Sequence, residues 1–151
     1  MNGISIGDIL RVRDGEPHGG MELKVSTIGG MISGYIEDTG NSYAYKEDRL
    51  EGLPVTKKIL ARHGFKFEKG DNDESLMVLF VDGEHFEHKG IKFPSYYRVE
   101  VEFARGTETV RRVSVRSFNG HGVFKCEVNP SDGIMLHEIQ HIMRDCKCKG
   151  T

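Results

Sequence analysis

Short runs of alternating apolar and polar residues, separated by glycine-containing turns, fill the first third of the chain. Four runs show this pattern: Ile6–Val12, Glu22–Ile28, Met31–Glu37 and Ser42–Lys46. Short strands spaced by about 8–12 residues, with glycine at the turns, are typical of a small barrel or a strongly bent sheet. The pattern therefore predicts a compact all-β module over residues 4–50.

The pattern changes at residues 53–64, where it indicates a short helix. Pro54 disfavours helical backbone at Leu53, and Thr56 is a suitable N-cap for a helix over Lys57–His63. Gly64 follows at the position where a glycine commonly ends a helix. We therefore expect a linking helix between the β-module and the rest of the chain.

Residues 65–128 have the pattern of an antiparallel meander. The predicted strands are Leu76–Val81, Glu84–His88, Tyr96–Ala104, Thr109–Phe118 and Val123–Val128. Two dipeptides typical of tight hairpin turns lie between them, Asp82-Gly83 and Asn119-Gly120. In the third strand Val99 and Val101 alternate with Arg98 and Glu100, which predicts one buried face and one polar face.

The last part of the chain predicts a helix, roughly Gly133–Cys146, that begins after the N-cap candidates Ser131 and Asp132. Its apolar residues cluster around Ile139 on one face. The expected fold class is α+β: a small β-module, a short linking helix, and an antiparallel sheet covered by the C-terminal helix. The predicted boundaries are 1–52 for the β-module and 53–151 for the remainder, as one compact unit.

Composition narrows the functional classes. The 151 residues contain 21 Lys+Arg and 23 Asp+Glu, a net charge of -2. This balance argues against a sequence-specific nucleic-acid-binding protein. No apolar run approaches the roughly 18 residues of a membrane span, so we expect no membrane association. The three cysteines and the absence of a secretion signal indicate reduced thiols and a cytoplasmic location, with Cys146 and Cys148 at a fraying end.

The C-terminal helix contains a His-Glu-x-x-His motif. On a helix, His137 and His141 lie on one face and can bind a single zinc ion, while Glu138 can act as general base toward zinc-bound water. The motif therefore makes a zinc-dependent hydrolase one alternative. The two histidines lie opposite the apolar stripe, so their face is solvated unless the N-terminal module covers it.

The zinc hypothesis has weaknesses within the sequence itself. Matches to a five-residue motif occur by chance. A third ligand has to come from elsewhere, and spacing distinguishes none of the candidates, which are His85, His88, His121, Cys126 and Glu127. The favoured interpretation is an amphipathic helix whose His and Glu side chains face solvent or a neighbouring module, with no catalytic residue and no cofactor.

A second set of candidates combines aromatic and basic side chains along the predicted strands. Stacking on aromatic rings together with guanidinium contacts suits a phosphorylated or nucleotide-like ligand. The candidate residues are Tyr43, Tyr45, Tyr96, Arg98, Arg112 and Arg116. The competing interpretation is that the arginines form cross-strand pairs with glutamates and that the tyrosines, Tyr97 above all, pack at the edge of the core.

The order of several phrases resembles a known family. The phrases are Ile4–Val12, Leu50–Thr56, Gly64–Phe67 and Leu136–His141. Together they resemble a family of uncharacterised small proteins of Bacteroidetes and their phages. That family commonly carries Gln at the position of Glu138 and often Asn at that of His141, which implies that His137 and Gln140 serve structure, hydrogen-bonding to the β-module. The opening module also looks like an SH3-like barrel, a fold used mostly for binding.

These observations lead to one favoured function and two alternatives. We expect a non-enzymatic binding protein of a phage or mobile element, acting in the cytoplasm, or in the host cytoplasm if phage-encoded. Its partner is expected to be a protein or a small nucleotide-like ligand. The alternatives are the zinc-dependent hydrolase and a structural subunit of a homo-oligomer.

Overall fold

The fold is described from a computed structural model, which defines residues 3–69, 74–82, 86–93, 96–119 and 122–149. The chain divides into two compact units, residues 1–54 with 135–140 and residues 55–134 with 141–151. Strands dominate both units, and two α-helices accompany them, so the predicted α+β class is confirmed. No helix in the described ranges is long and apolar enough to cross a membrane.

The first unit is built on a five-stranded antiparallel sheet. Its strands are Ile9–Val12 (β1), Glu22–Ile28 (β2), Ile32–Ile36 (β3), Asn41–Tyr45 (β4) and Leu50–Gly52 (β5). The order β4-β3-β2-β1-β5 leaves β4 and β5 at the two edges, so the sheet is open and the described strands do not close into a barrel. The predicted all-β module is confirmed at this coarser level, and β5 is an addition that the pattern did not predict.

The core of the first unit follows the predicted alternation. Its buried side chains are Leu10, Val12, Leu23, Val25, Ile32, Ile36, Tyr45 and Leu50. Gly34 lies so close to the neighbouring strand that a Cβ there would be 2.3 Å from Leu23 Cδ2 and 2.5 Å from the carbonyl oxygen of Lys24. A side chain at this point of β3 would therefore push the strands apart.

The second unit contains the linking helix, Lys57–Arg62 (α1). Thr56 caps it as predicted, because its hydroxyl accepts a hydrogen bond from the backbone N–H of Ile59 at 3.1 Å. The chain leaves the helix through Gly64, whose φ of +92° is a left-handed conformation that suits glycine. The helix ends at Arg62, one residue earlier than the pattern indicated.

Seven further strands belong to the second unit. They are Lys66–Phe67 (β6), Leu76–Asp82 (β7), Phe86–His88 (β8), Ile91–Phe93 (β9), Tyr96–Phe103 (β10), Val110–Asn119 (β11) and Gly122–Val128 (β12). Five form an antiparallel sheet in the order β12-β11-β10-β7-β6, and β8 and β9 pair separately. The predicted meander is confirmed for β7, β10, β11 and β12, whereas the strand predicted at Glu84–His88 (β8) pairs outside this sheet, and β6 and β9 are additions. The glycines of the two predicted hairpin turns lie outside the described residues.

The C-terminal helix, Leu136–Lys149 (α2), begins three residues later than the predicted start at Gly133. Met135 forms a β-bridge with Pro54, and the backbone N–H of Leu136 donates to the carbonyl oxygen of Leu53 at 2.8 Å. These contacts hold the chain extended up to Met135. The cap candidates Ser131 and Asp132 were therefore wrong, since the partner that sets the helix start comes from the middle of the chain.

The later turns of α2 pack within the second unit. Cys146 is fully buried, and its sulfur lies 3.5 Å from the carbonyl oxygen of Val115 on β11. This later part of α2 therefore packs against β11, on the sheet that the C-terminal helix was predicted to cover. The expectation that Cys146 is a thiol on a fraying end is wrong, because the side chain belongs to the core.

Candidate functional site

The motif glutamate has a structural contact at the start of α2. Glu138 is the third residue of the helix, and its Oε1 accepts a hydrogen bond from the backbone N–H of Met135 at 3.0 Å. This is the glutamate half of a capping box, which satisfies a helix N-terminal donor and places negative charge at the positive end of the helix dipole. Glu138 thus has a role that needs no metal.

His137 is buried rather than solvated. Only 6% of its surface is exposed. Its ring lies against β5, where a Cβ added to Gly52 would be 3.1 Å from His137 Cε1. The first unit therefore covers this histidine. The sequence predicted a solvated histidine face unless the N-terminal module covered it, and for His137 the module does. His141 groups with the second unit, and the described part of the chain contains no cluster of three or more His, Cys, Asp or Glu side chains suited to a metal ion.

Gln140 hydrogen-bonds to the β-module. Its Oε1 accepts from the backbone N–H of Ile9 at 2.9 Å, and its Nε2 donates to the carbonyl oxygen of Gly7 at 2.9 Å. The side-chain amide thus accepts one hydrogen bond and donates another, both with backbone groups around the start of β1. The structural role expected for Gln140 is confirmed, and this face of the helix is held by backbone contacts.

The two candidate tyrosines of the first unit have local partners. Tyr45 is buried and donates from its hydroxyl to the carbonyl oxygen of Pro17 at 2.6 Å. Burial raises the pKa of this phenol, and the nearby Tyr43 and Glu16 add to the shift. Tyr43 packs its ring 4.3 Å from that of His18. Tyr45 is therefore a core residue, and neither tyrosine belongs to the unit that contains the other candidates.

The remaining four candidates lie on one face of the second sheet. In β10 and β11, Arg98 stands directly opposite Arg116, and in β11 and β12, Arg116 stands directly opposite Lys125. We name these three residues the cation row. Like charges directly opposite each other on adjacent strands repel, which makes this arrangement unfavourable in isolation.

The ends and the centre of the cation row differ in their partners. Arg98 Nη2 contacts Glu68 Oε2 at 2.9 Å and Glu100 Oε1 at 3.0 Å, and Lys125 Nζ lies 3.4 Å from Glu127 Oε1. Within the described ranges, no carboxylate lies within ion-pair distance of Arg116. Among the described residues, Arg116 is therefore the member of the row without a carboxylate partner.

Arg112 belongs to a structural ion-pair network on the same face. Its Nε donates to Glu102 Oε2 at 3.0 Å, and its Nη1 lies 3.5 Å from both Glu100 and Glu127. The hydrogen bond to Glu102 raises the pKa of Arg112, against a smaller opposing effect of burial. The cross-strand interpretation is therefore confirmed for Arg112, which is surrounded by carboxylates.

An aromatic cluster adjoins the cation row. Tyr96 and Phe118 are opposite each other in the next row of the same face and stack with ring centroids 4.6 Å apart and an interplanar angle of 20°. Phe80 lies 6.4 Å from Tyr96 and is 60% exposed. Arg98 Cζ lies 5.3 Å from the centroid of Phe80. These rings form a partly exposed apolar platform beside positive charge.

A groove of about 440 Å³ opens beside Phe80 at the β6 side of the sheet. Its volume is within the range of about 300–1,000 Å³ found for small-molecule sites. Apolar and cationic side chains dominate the lining: Phe67, Val78, Leu79, Phe80, Lys66, Lys69 and Arg98, together with Gly64 and Glu68. We name it the Phe80 groove. It combines an aromatic wall with three cations, as a phosphorylated planar ligand requires.

Sequence reasoning missed Phe80 and Phe118. Phe80 lies in the continuous apolar run of β7, where no alternation with polar residues marks an outward face, and its side chain faces outward with that of Arg98. Phe118 is an outward residue of β11 in register with Tyr96. The signal that places Phe118 beside Tyr96 is the register between the two alternating strands. Neither strand considered separately shows it.

No protein-family model matches the chain, and no curated protein or solved structure is significantly similar to it.

Proposed function

We propose that this protein is a non-enzymatic binding protein that takes a small nucleotide-like ligand on the outward face of its second sheet. The observation that carries the proposal is the cation row next to the aromatic cluster. An anion that contacts both Arg98 and Arg116 relieves the repulsion between these directly opposed cations. A planar base stacked on Phe80 or Tyr96 gains about 1–3 kcal/mol from the contact.

The charge balance of this face favours a small ligand over a polymer. Four glutamates lie among the cations: Glu68, Glu100, Glu102 and Glu127. A long phosphate backbone needs an extended positive surface, and its affinity depends on several neutralised phosphates. One phosphate on the cation row needs only a local excess of positive charge around Arg98 and Arg116.

Isothermal titration calorimetry with the four nucleoside 5′-monophosphates tests this proposal. We expect at least one of them to bind, and we expect Phe80→Ala and Arg116→Gln each to weaken that binding by about tenfold or more. The matched control is Arg111→Gln, an exposed arginine of β11 outside the cation row. Absence of binding for all four compounds contradicts the proposal, as does an equal loss in the Arg111 variant.

The broader setting belongs to the same proposal. The phage or mobile-element origin is supported by the resemblance of the sequence phrases, and an SH3-like character of the first unit by its short antiparallel strands. A protein partner or a homo-oligomer is the competing outcome. Light scattering across a dilution series tests the homo-oligomer, because an obligate oligomer shows no monomer at low concentration.

A further inference from the structure

The ion pair between Glu68 and Arg98 lies inside the proposed site. Glu68 and Arg98 both line the Phe80 groove, and Glu68 Oε2 accepts from Arg98 Nη2 at 2.9 Å. Glu100 contacts the same guanidinium, but its side chain is 10% exposed, whereas that of Glu68 is 37% exposed. Arg98 is thus held by one fixed, buried carboxylate and one carboxylate at the groove surface.

We infer that Glu68 occupies the position of the ligand phosphate and that a ligand binds by displacing it from Arg98. This inference rests on the proposed function. The pair is only partly buried, and surface ion pairs contribute about 0–1 kcal/mol, so the exchange costs little. The groove also contains Lys66 and Lys69, both exposed, which leave it positively charged when a phosphate takes the place of the carboxylate.

The exchange determines which anions the site selects. An incoming group with one negative charge replaces a carboxylate with one negative charge, and gains little electrostatic attraction in total. A phosphate monoester carries about -1.5 to -2 charges at pH 7 and three acceptor oxygens, so it outcompetes Glu68. The ligand class is therefore a nucleotide with a terminal phosphate monoester, in preference to phosphodiesters, including internal nucleic-acid phosphates, and to monocarboxylates.

Calorimetry with three forms of one nucleoside tests this selection. The probes are the 5′-monophosphate that binds most tightly, its 3′,5′-cyclic monophosphate and the unphosphorylated nucleoside. For the wild-type protein we expect the 5′-monophosphate to bind most tightly, and the other two to bind similarly to each other. In Glu68→Gln we expect both phosphorylated probes to gain up to about fivefold in affinity, with the nucleoside unchanged.

The matched control is Glu102→Gln. Glu102 lies on the same face and pairs with Arg112 at 3.0 Å, with a side-chain exposure of 29%, but it does not line the groove. We expect no change in any of the three affinities. Circular dichroism melting curves of both variants, and of Glu68→Ala as a second replacement, establish that the folded proteins are compared.

The outcomes separate this inference from the proposed function. If neither nucleotide nor nucleoside binds, the proposed function fails. If the nucleoside binds as tightly as the 5′-monophosphate, or if Glu68→Gln and Glu68→Ala leave all affinities unchanged, the phosphate selection fails while base binding stands. An equal gain in Glu102→Gln also overturns the inference, because the effect is then one of general charge.

Discussion

The side chain of Gln140 donates to the carbonyl oxygen of Gly7 at 2.9 Å, across 133 positions of sequence. The same amide accepts from the backbone N–H of Ile9. Two hydrogen bonds from one side chain therefore join the second turn of α2 to the start of β1 within the first unit. Gln140 is an unspecified position in the zinc motif. Its side chain nevertheless hydrogen-bonds this helix to the backbone near β1.

Replacing Gln140 is expected to destabilise the fold. Gln140→Leu leaves the half-buried N–H of Ile9 and the carbonyl of Gly7 without this partner, which costs about 1–3 kcal/mol. Urea unfolding measures the loss as a lower midpoint at an unchanged slope. Arg144→Ala, an exposed change on the same helix, is the control and should leave the midpoint nearly unchanged. An equal urea midpoint for Gln140→Leu and wild type contradicts the stabilising role of these two hydrogen bonds.

Replacing Glu138 is expected to weaken the helix start. Glu138→Ala removes the acceptor for the Met135 N–H and the charge at the helix N-terminus, at a cost of about 0.5–2 kcal/mol. Glu138→Gln keeps an oxygen acceptor, so its loss should be smaller. Thermal melts measure both effects. Asp145→Ala, an acidic residue near the other end of α2, serves as control and should not lower the melting temperature.

The metal content of the purified protein tests the hydrolase alternative. Because Glu138 caps the helix and His137 is packed against Gly52, we expect far less than one zinc per chain in elemental analysis. His141→Ala should leave that content unchanged and should fold, since it alters only the half-buried histidine. Stoichiometric zinc that disappears in this variant, and in the double variant with His137→Ala, restores the hydrolase hypothesis.

Two glycines of the first unit should respond differently to alanine. At Gly34 the added methyl group meets Leu23 Cδ2 at 2.3 Å and the Lys24 carbonyl at 2.5 Å, so Gly34→Ala is expected to cost at least about 2 kcal/mol. At Gly30 nothing lies within 4 Å, so Gly30→Ala should change stability by less than about 1 kcal/mol. Similar unfolding midpoints for the two variants would show that β3 does not approach β2 as described.

Stability should fall at alkaline pH through Tyr45. Its pKa is raised by burial above the ordinary value of 10.0, so the folded protein favours the neutral phenol. The stabilising contribution is complete below pH 10 and is lost as the pH rises through the pKa of the folded state. Unfolding free energies measured between pH 8 and about pH 11 should therefore decline in the wild type, and less steeply in Tyr45→Phe.

Tyr43→Phe is the matched control for the alkaline experiment. Tyr43 lies two residues away on β4 and packs against His18. This variant should keep most of the wild-type decline, because burial, the largest cause of the raised Tyr45 pKa, is unchanged and only the smaller contribution of Tyr43 is lost. A Tyr45→Phe profile that coincides with that of Tyr43→Phe contradicts the assignment of the alkaline transition to Tyr45.

Local chemistry made several elements predictable. Thr56 and Gly64 mark the ends of α1 because capping needs only residues within one turn of the helix end. The alternation along β10 assigns Val99 to the buried face and Arg98 to the polar face because the side-chain period of a strand is two. Both signals depend on neighbours in sequence, and the structure confirms both.

Tertiary pairing decided what the sequence could not. The start of α2 depends on Leu53, and the burial of His137 depends on Gly52, both more than eighty positions away. The cation row exists only through the register that places Arg116 between Arg98 and Lys125.

The sequence by itself determined the α+β class, most strands, the capped linking helix and the set of polar candidates, since periodicity and capping are short-range properties. Only the tertiary structure separated those candidates into a buried tyrosine, a helix cap, a carboxylate-bound Arg112 and a row of opposed cations. The physical reason is that repulsion, burial and hydrogen bonding act between residues that strand pairing brings together, and a single sequence does not record the register.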